Sequence, residues 1–436
     1  MPSRKGATFA IIILFLINIL NFYDRNVAGA LVEPMRKEFH LNDTQVGLLG
    51  TAFTVLYAII GVPLGRIADK WSRKKLLGAG MTIWGILTAM AAVVTTFGGL
   101  MVSRLGVGVG EAACAPSATS WIGDLVAPSK RARALALFML GVPVGGALSY
   151  FFSGPIAQAY GWRTAMVIAA VPAFILLPML LLLHEPERGA SETHVFTEAP
   201  ASMFSVLRIP TLWWIVASGA LLNFNMYAIG TFMPALLGRI HGLKVGPAGV
   251  ATGILYMVGG VAGGLAAGWI GDRVIHTRKN GRLLAAAAIS LIGAPFAYFG
   301  AMQPKGALIA AVVLWTVAYG TLNSYYGLVY SSIQDIVAPA QRGATMALYF
   351  MAMYLCGASF GPLLTGRLSD YFAKQAAHAA GSATITDAAR ALGLQQAILV
   401  VPLLSILLAL VLYMGSRTIG GDISKREAAA LAARTA

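Results

Sequence analysis

Twelve long apolar runs, spaced along almost the whole chain, leave few folds open to it. They cover approximately residues 8–32, 44–68, 76–95, 98–122, 132–160 and 163–184, and resume after a polar stretch at 211–238, 245–271, 281–302, 306–334, 343–372 and 391–416. About 20 apolar residues are what a helix needs to cross the hydrocarbon layer, and a helix satisfies its own backbone hydrogen bonds where no water can. The expected fold class is therefore an all-α polytopic membrane protein of twelve transmembrane helices. Composition agrees, with 58% hydrophobic and 11% charged residues and a mean hydropathy of +0.73, outside the range of soluble domains. The first run has no small-residue cleavage site after it and is followed by many similar runs, so it reads as a retained spanning helix and not as a signal peptide.

The formal charge of +15 raises the question of an anionic partner. Of the 32 Lys and Arg residues, 21 fall in the N-terminus, the even-numbered loops and the C-terminus, 8 in the odd-numbered loops and 3 within helices. That bias predicts a multi-pass protein with both termini cytoplasmic. It also argues against nucleic acid as a partner, because the charge is spread over one membrane face and forms no aromatic-interleaved groove. Cys114 and Cys356 stand far apart in apolar runs, the six histidines lack metal-ligand spacing, and no lysine precedes Ser or Thr as a Walker A loop requires. The sequence thus calls for no cofactor, no metal and no ATP. Two enzyme-like patterns, Gly357-Ala-Ser359-Phe-Gly361 and Gly108-Val-Gly110-Glu-Ala-Ala113, lie inside spanning runs without the strands their chemistry needs, and small-residue packing explains both better.

An internal repeat organises the chain. Asp124-Leu-Val-Ala-Pro-Ser-Lys-Arg131 recurs as Asp335-Ile-Val-Ala-Pro-Ala-Gln-Arg342, and Gly65-Arg-Ile-Ala-Asp69-Lys70 recurs as Gly268-Trp-Ile-Gly-Asp272-Arg273, followed by the basic pairs Arg73-Lys74 and Arg278-Lys279. Because six is even, both halves enter the membrane from the same side, giving parallel repeats. The expected organisation is an N-terminal six-helix half at 1–184, a cytoplasmic linker at 185–210, a C-terminal six-helix half at 211–416 and a cytoplasmic tail at 417–436.

Gly65, Asp69, Lys70, Arg73 and Lys74 form a GxxxDxxxRK loop, and with it the whole chain resembles the major facilitator superfamily. Ser72 departs from the glycine usual at its position. The glycine is expected to let helices approach closely, and the charges to pair with neighbouring helix ends. The resemblance implies a gate in this loop, with Asp69 near Pro339, Arg73 near Asp124, and Asp272, Arg273 and Asp335 as second-half counterparts. The weaker alternative is that these charges only fix topology.

The sharpest signal is buried charge. Of 17 Asp and Glu residues only Asp24 and Glu111 lie deep within spanning runs, and Arg104 stands seven residues before Glu111, two turns away on the same face. A charge at a helix centre costs about 2.5 to 3.5 kcal/mol on insertion scales, so such residues mark ion or substrate paths unless they form a permanent pair between helices. Asn21-Phe-Tyr23-Asp24-Arg25, Arg104-Leu-Gly-Val-Gly-Val-Gly-Glu111 and Glu185-Pro-Glu-Arg-Gly narrow the resemblance to the spinster-like branch, which includes lysolipid and sphingolipid carriers. That resemblance implies an amphipathic anionic substrate, proton handling by Asp24 and Glu111, and headgroup contact by Arg25, with Arg104 and Tyr23 beside it. In the second half Asn223, Tyr227, Asn323 and Tyr326 are polar enough to line a cavity, or else bond helix to helix.

The resulting expectation is a secondary active transporter working by alternating access in a bacterial inner membrane, coupled to protons and carrying a lysolipid or sphingoid-type lipid. A proton-coupled carrier of organic anions or drugs is the main alternative, and a lipid-modifying membrane enzyme a remote one. No obligate protein partner is evident.

Overall fold

The computed structural model describes residues 4–126, 128–188, 190, 203–275, 278–338 and 341–435. No strand occurs among them. Eleven helices are long and apolar enough to cross a membrane, and most begin and end within a few residues of the apolar runs. Contacts divide the chain into two compact units, residues 1–196 with 230–253, and residues 197–229 with 254–436.

The first unit contains α1 (Arg4–Ala30), the short α2 (Val32–Glu38), α3 (Asp43–Lys70), α4 (Arg73–Met90), α5 (Phe97–Glu111), α6 (Cys114–Leu125), α7 (Pro128–Met139), α8 (Gly141–Tyr160) and α9 (Trp162–Leu182). Local chemistry sets several of these ends. Asn42 and Gln45 form a reciprocal capping box at the start of α3, at 2.8 and 3.0 Å. Gly161 turns the chain between α8 and α9 at φ 85°, a conformation that a side chain would resist. Trp84, Trp121, Met81, Leu77, Ile13 and Ile17 fill the core between α1, α4 and α6.

The fourth apolar run does not form a single helix. It splits into α5 and α6 at Ala112-Ala113, directly after Glu111. Pro116, in the first turn of α6, has no N–H to return to the carbonyl four residues earlier, so the ladder fails there. The two pieces together make the twelfth span. Its glycines pack closely on neighbours: an added Cβ at Gly110 would lie 2.8 Å from the Gly80 carbonyl oxygen, and one at Gly108 2.8 Å from that of Phe53. The dinucleotide-like pattern is thus helix packing.

The second unit holds the first part of α10 (Pro210–His241), whose last part belongs to the first unit together with most of α11 (Val245–Ile254). It continues with α12 (Gly260–Ile275), α13 (Gly281–Ala301), α14 (Leu308–Ile336), α15 (Arg342–Met353), α16 (Phe360–Ala379), α17 (Asp387–Ala397) and α18 (Val400–Thr435). Wider π-type turns join α11 to α12 at Leu255–Gly259 and α15 to α16 at Tyr354–Ala358. In the GxSxG pattern, Gly357 and Gly361 lie against the carbonyl oxygens of Ala220 and Phe224, while the Ser359 hydroxyl donates to the Tyr354 carbonyl at 2.9 Å. This serine serves the helix bend. Half of the expected linker, 189 and 191–202, lies outside the described residues, and Met203–Arg208 forms a 3₁₀ turn.

The C-terminal tail is helical, continuing α18 to Thr435. Asp422 there reaches the start of α10, where its carboxylate accepts from the Thr211 amide at 3.1 Å and the Thr211 hydroxyl at 2.6 Å. A distant carboxylate therefore supplies the cap that the helix beginning at Pro210 lacks locally. Asp422→Ala is expected to lower the stability of the purified protein by about 1 kcal/mol, the usual worth of such a cap, and Asp422→Asn by less. Thermal unfolding of both variants checks this, and an equal loss in the two would show that charge, not capping, is what matters.

Candidate functional site

The buried charges of the first unit come together where α1 meets the broken end of α5. The Arg25 guanidinium donates from Nε and from a terminal nitrogen to Oε2 of Glu111, both at 3.3 Å, and its second contact is the Asn21 side-chain oxygen at 3.4 Å. Aromatic rings surround it: the guanidinium carbon lies 4.3 Å from the Tyr57 centroid, 4.6 Å from Phe22 and 5.4 Å from Phe53. The Arg104 guanidinium carbon also lies over the Phe53 ring, 5.3 Å from its centroid, and a terminal nitrogen lies 3.5 Å from the Asp24 backbone carbonyl. Tyr23 is hydrogen-bonded to Ser153 of α8 at 2.9 Å.

The two acids are not equivalent. Asp24 and Glu111 are fully buried, yet neither Asp24 carboxylate oxygen, nor Oε1 of Glu111, has a hydrogen-bond partner among the described residues. At 3.3 Å the Arg25–Glu111 attraction is about 5 kcal/mol with an effective dielectric near 20. Desolvating each ion costs several kcal/mol, so the pair roughly breaks even, and Asp24 has no carboxylate hydrogen bond among the described residues to offset its own burial. The cluster is therefore poor as a structural staple.

The second unit presents no charge of this kind, but an array of tyrosines. Tyr326 donates to the Asn223 side-chain oxygen at 3.4 Å and packs edge-on against Tyr325 and Tyr330, whose ring in turn meets Tyr349 and Phe350. Tyr227 meets Tyr354 edge-on at 6.1 Å. Tyr325 is buried and bonded to Ser218 and Tyr349, whereas Tyr227, Tyr326, Tyr330 and Tyr354 keep part of their surface accessible. Asn323 spends its amide on the Gly260 carbonyl at 2.7 Å, joining α14 to α12, and Asn225 bonds Val401 and Ser405 of α18. Tyr330 could have been found as an aromatic one turn from Tyr326, but Tyr354 stands far in sequence from the candidates, and Phe53 and Tyr57 stand on α3, far in sequence from the charges they contact.

At the α3–α4 loop, Arg73 is almost wholly buried and forms ion pairs with Asp124 and, at 3.1 Å, with Glu185. Glu185 also accepts from the Ser72 hydroxyl at 2.6 Å, the Arg73 amide at 2.8 Å and the Lys74 amide at 3.2 Å, so the unusual Ser72 both caps α4 and holds this acid. Arg188 donates to the carbonyls of Ala68 and Trp71 at the end of α3, at 2.8 and 2.6 Å. The Glu-Pro-Glu-Arg segment after α9 thus clamps both sides of the loop, which its sequence gave no reason to expect. Lys70 is exposed, and the side chain of Asp69 and all of Pro339 lie outside the described residues, so the expected contact between them does too.

Two expectations for this loop are corrected. An added Cβ at Gly65 or Gly268 would meet nothing within 4 Å, so close helix approach does not occur at these glycines. In the second unit the arginine paired with Asp335 is Arg282, at 2.6 Å, while Lys279 of the basic pair binds Glu427. The helix α13 begins at Gly281, which puts Arg282 in its first turn and beyond the motif-based alignment. Arg273 stacks on Trp269 at 3.7 Å, and Asp272 is exposed with no ion pair among the described residues.

With the fold and site described, comparisons with known proteins become informative. Residues 14–362 match the model of the Major Facilitator Superfamily, and the chain belongs to that family of membrane transporters. It is 29% identical over 371 residues to an MFS-type efflux pump of Mycolicibacterium smegmatis, covering 85% of each chain. It is 28% identical over 396 residues to protein spinster homolog 1 of Xenopus laevis, covering 85% of this chain and 74% of that one. Among solved structures it is similar to a bacterial homologue of the human lysosomal transporter Spinster, in an inward-facing and unoccupied conformation, with a TM-score of 0.86 and 26% identity over 97% of this chain and 99% of that one. The chain is thus a spinster-like multi-pass transporter of a small-molecule substrate.

The Glu185 clamp has a pH signature. Partial burial pushes the carboxyl up, but the hydrogen bonds from Ser72, Arg73 and Lys74 outweigh it and hold the group below its ordinary value of 4.5. Its stabilisation is therefore complete above the ordinary carboxylate range and is lost as pH falls through the lowered value. The stability gap between the native protein and Glu185→Gln is expected to be widest near neutral pH and to close under acid. A gap that persisted unchanged in acid would show that the clamp does not depend on the ionised carboxylate.

Proposed function

We propose that this transporter is proton-coupled, that Asp24 and Glu111 carry the proton, and that its substrate is an amphipathic anion. The observation that carries the reading is the Arg25–Glu111 pair beside an unpartnered Asp24. The contacts of Arg25 include one carboxylate, the Asn21 side-chain oxygen and ring faces, in place of which a substrate phosphate or carboxylate can offer a charge-assisted contact. Once Arg25 turns to the substrate, Glu111 is a buried carboxylate without its cation, a state that costs several kcal/mol unless a proton neutralises it. Substrate and proton thus compete through one arginine. Arg104, beside the Asp24 backbone, sets the field at Asp24.

The uncharged part of the substrate falls to aromatic groups. Tyr227 and Tyr326, with Asn223, offer ring faces, hydroxyls and an amide but no charge, suited to an acyl chain with polar substituents or to an aromatic ring. The resemblance to the spinster-like branch implies a lysolipid or sphingoid-type lipid, and an organic anion or drug is the alternative. In this reading the six-helix halves at 1–184 and 211–416 move against each other, with gates built on Gly65, Asp69, Lys70, Arg73 and Asp124 and on Asp272, Arg273 and Asp335. The excess of Lys and Arg in even-numbered loops supports cytoplasmic termini in a bacterial inner membrane.

In vesicles with an imposed pH gradient, Asp24→Asn and Glu111→Gln are expected to insert normally but to lose pH-driven movement of a fluorescent lysophospholipid or of an anionic dye. Unchanged pH dependence in both variants would overturn proton coupling. Arg25→Ala is expected to weaken binding of lysophosphatidic acid by at least about tenfold, the scale of a lost charge-assisted bond, while binding of a neutral monoacylglycerol changes little. An equal loss for both ligands would remove Arg25 from headgroup recognition.

A further inference from the structure

One face of α5 carries Arg104, Gly108 and Glu111, spaced four and three residues apart, so the glycine lies between the two charges. Phe53 of α3 is seated on that glycine. An added Cβ at Gly108 would lie 2.8 Å from the Phe53 carbonyl oxygen and 3.4 Å from a carbon of its ring. The Phe53 side chain is buried and stacks on Tyr57, one turn along α3, with ring centroids 5.9 Å apart and planes 22° from parallel. Held by the α5 backbone and by a stacked ring, Phe53 has little room to move.

Both arginines of the buried cluster lie over this ring, the Arg25 guanidinium carbon 5.4 Å and that of Arg104 5.3 Å from its centroid. Their contacts with the acids differ. Arg25 donates twice to Glu111, whereas Arg104 forms no ion pair with Glu111 among the described residues and reaches the Asp24 backbone carbonyl instead. Seven residues of helix rise about 10 Å, and both side chains are long, so distance along α5 does not by itself keep Arg104 from Glu111. Phe53 stands between them on that face. A ring offers a guanidinium its negatively polarised face but no charge, so Arg104 can rest there without gaining a carboxylate.

We propose that Phe53 is a positioning residue of the buried cluster: seated on Gly108, its ring keeps Arg104 off Glu111, so that Glu111 depends on Arg25 for its cation. This rests on the reading that a substrate anion takes Arg25 from Glu111. With Arg104 held away, the departure of Arg25 leaves a bare buried carboxylate, and anion binding carries that penalty unless a proton removes it. With Arg104 free to replace Arg25, the penalty falls and the link to the proton weakens. Phe53 thus sets the affinity for anions without touching the substrate.

The test measures binding of lysophosphatidic acid and of a neutral monoacylglycerol to the purified full-length protein at one neutral pH. Phe53→Leu is expected to bind lysophosphatidic acid roughly tenfold more tightly than the native protein, a coupling of ordinary size, and monoacylglycerol equally well. Phe53→Tyr, which keeps the ring, should bind both as the native protein does, and adding Arg104→Gln to Phe53→Leu should abolish the gain. General damage to packing does not tighten binding of one probe alone. Phe53→Met is read in the same way if Phe53→Leu does not fold. Unchanged or weaker anion binding in the ringless variants, or a gain that survives Arg104→Gln, would overturn the role of Phe53. A substrate-free measurement separates this from the role given to Arg25. In protein labelled with nitrogen-15 arginine, the Arg104 Nε–H resonance, identified by its loss in Arg104→Gln, should take the downfield position of a carboxylate-bound guanidinium in Phe53→Leu. It should lose that position when Glu111→Gln is added. Where Arg25→Ala weakens both probes equally, the headgroup role of Arg25 fails by itself, and this resonance alone decides for or against Phe53.

Discussion

Inside the hydrocarbon layer a backbone amide has no water to bond, and this constraint shapes everything else in the molecule. It forces helices over every apolar run and makes any break in a helix conspicuous. Three breaks fall within spanning segments of the described residues and lie beside functional candidates: the stop after Glu111, and the π-type turns at Leu255–Gly259 and Tyr354–Ala358. Each frees carbonyls that an uninterrupted ladder would occupy, and each puts a polar side chain at the break: Glu111, Tyr256 and Tyr354. Irregular backbone in a membrane protein is tolerated where it serves a site.

The same constraint explains the division of chemistry between the units. Charge is expensive in the membrane, and the first unit concentrates it around Arg25, Arg104, Asp24 and Glu111, where aromatic rings replace part of the lost hydration. The second unit avoids that cost with tyrosines, which carry a hydroxyl on an apolar body. In the proposed function, proton chemistry and apolar recognition are thereby assigned to separate sets of residues, so a substitution in one set need not disturb the other. Glycine contacts supply the close helix packing on which both sets rest, as at Gly80 and Gly110, and do so away from the glycines of the loop motifs.

Charged side chains at the ends of helices are the other recurring device. Glu185 and Arg188 bracket the α3–α4 loop, Asp422 caps α10 from the far end of the chain, and Arg239 joins α10 to α2 and α3. All four act on helix termini, where orphan backbone groups and the helix dipole reward a charge of the right sign. They lie outside the apolar stretches, so hydropathy has nothing to say about them.

Span number, the approximate bounds of most helices, the two-half repeat, and the isolation of Asp24 and Glu111 were all determined by the sequence, because hydrophobic length and the cost of buried charge are properties of short segments. The pairing of Arg73 with Asp124 followed from motif resemblance and is present. What tertiary structure alone decided is which partner each charge takes. Glu111 pairs with Arg25 across 86 positions and not with Arg104 on its own helix; Asp335 takes Arg282, not the aligned basic pair; and Arg239 finds Glu33 and Asp43 about 200 positions away. The ordering has a physical cause. An ion pair depends on angstrom-scale separation between side chains of different helices, which is fixed by how the helices cross and where they break. A spanning helix depends only on the residues within it.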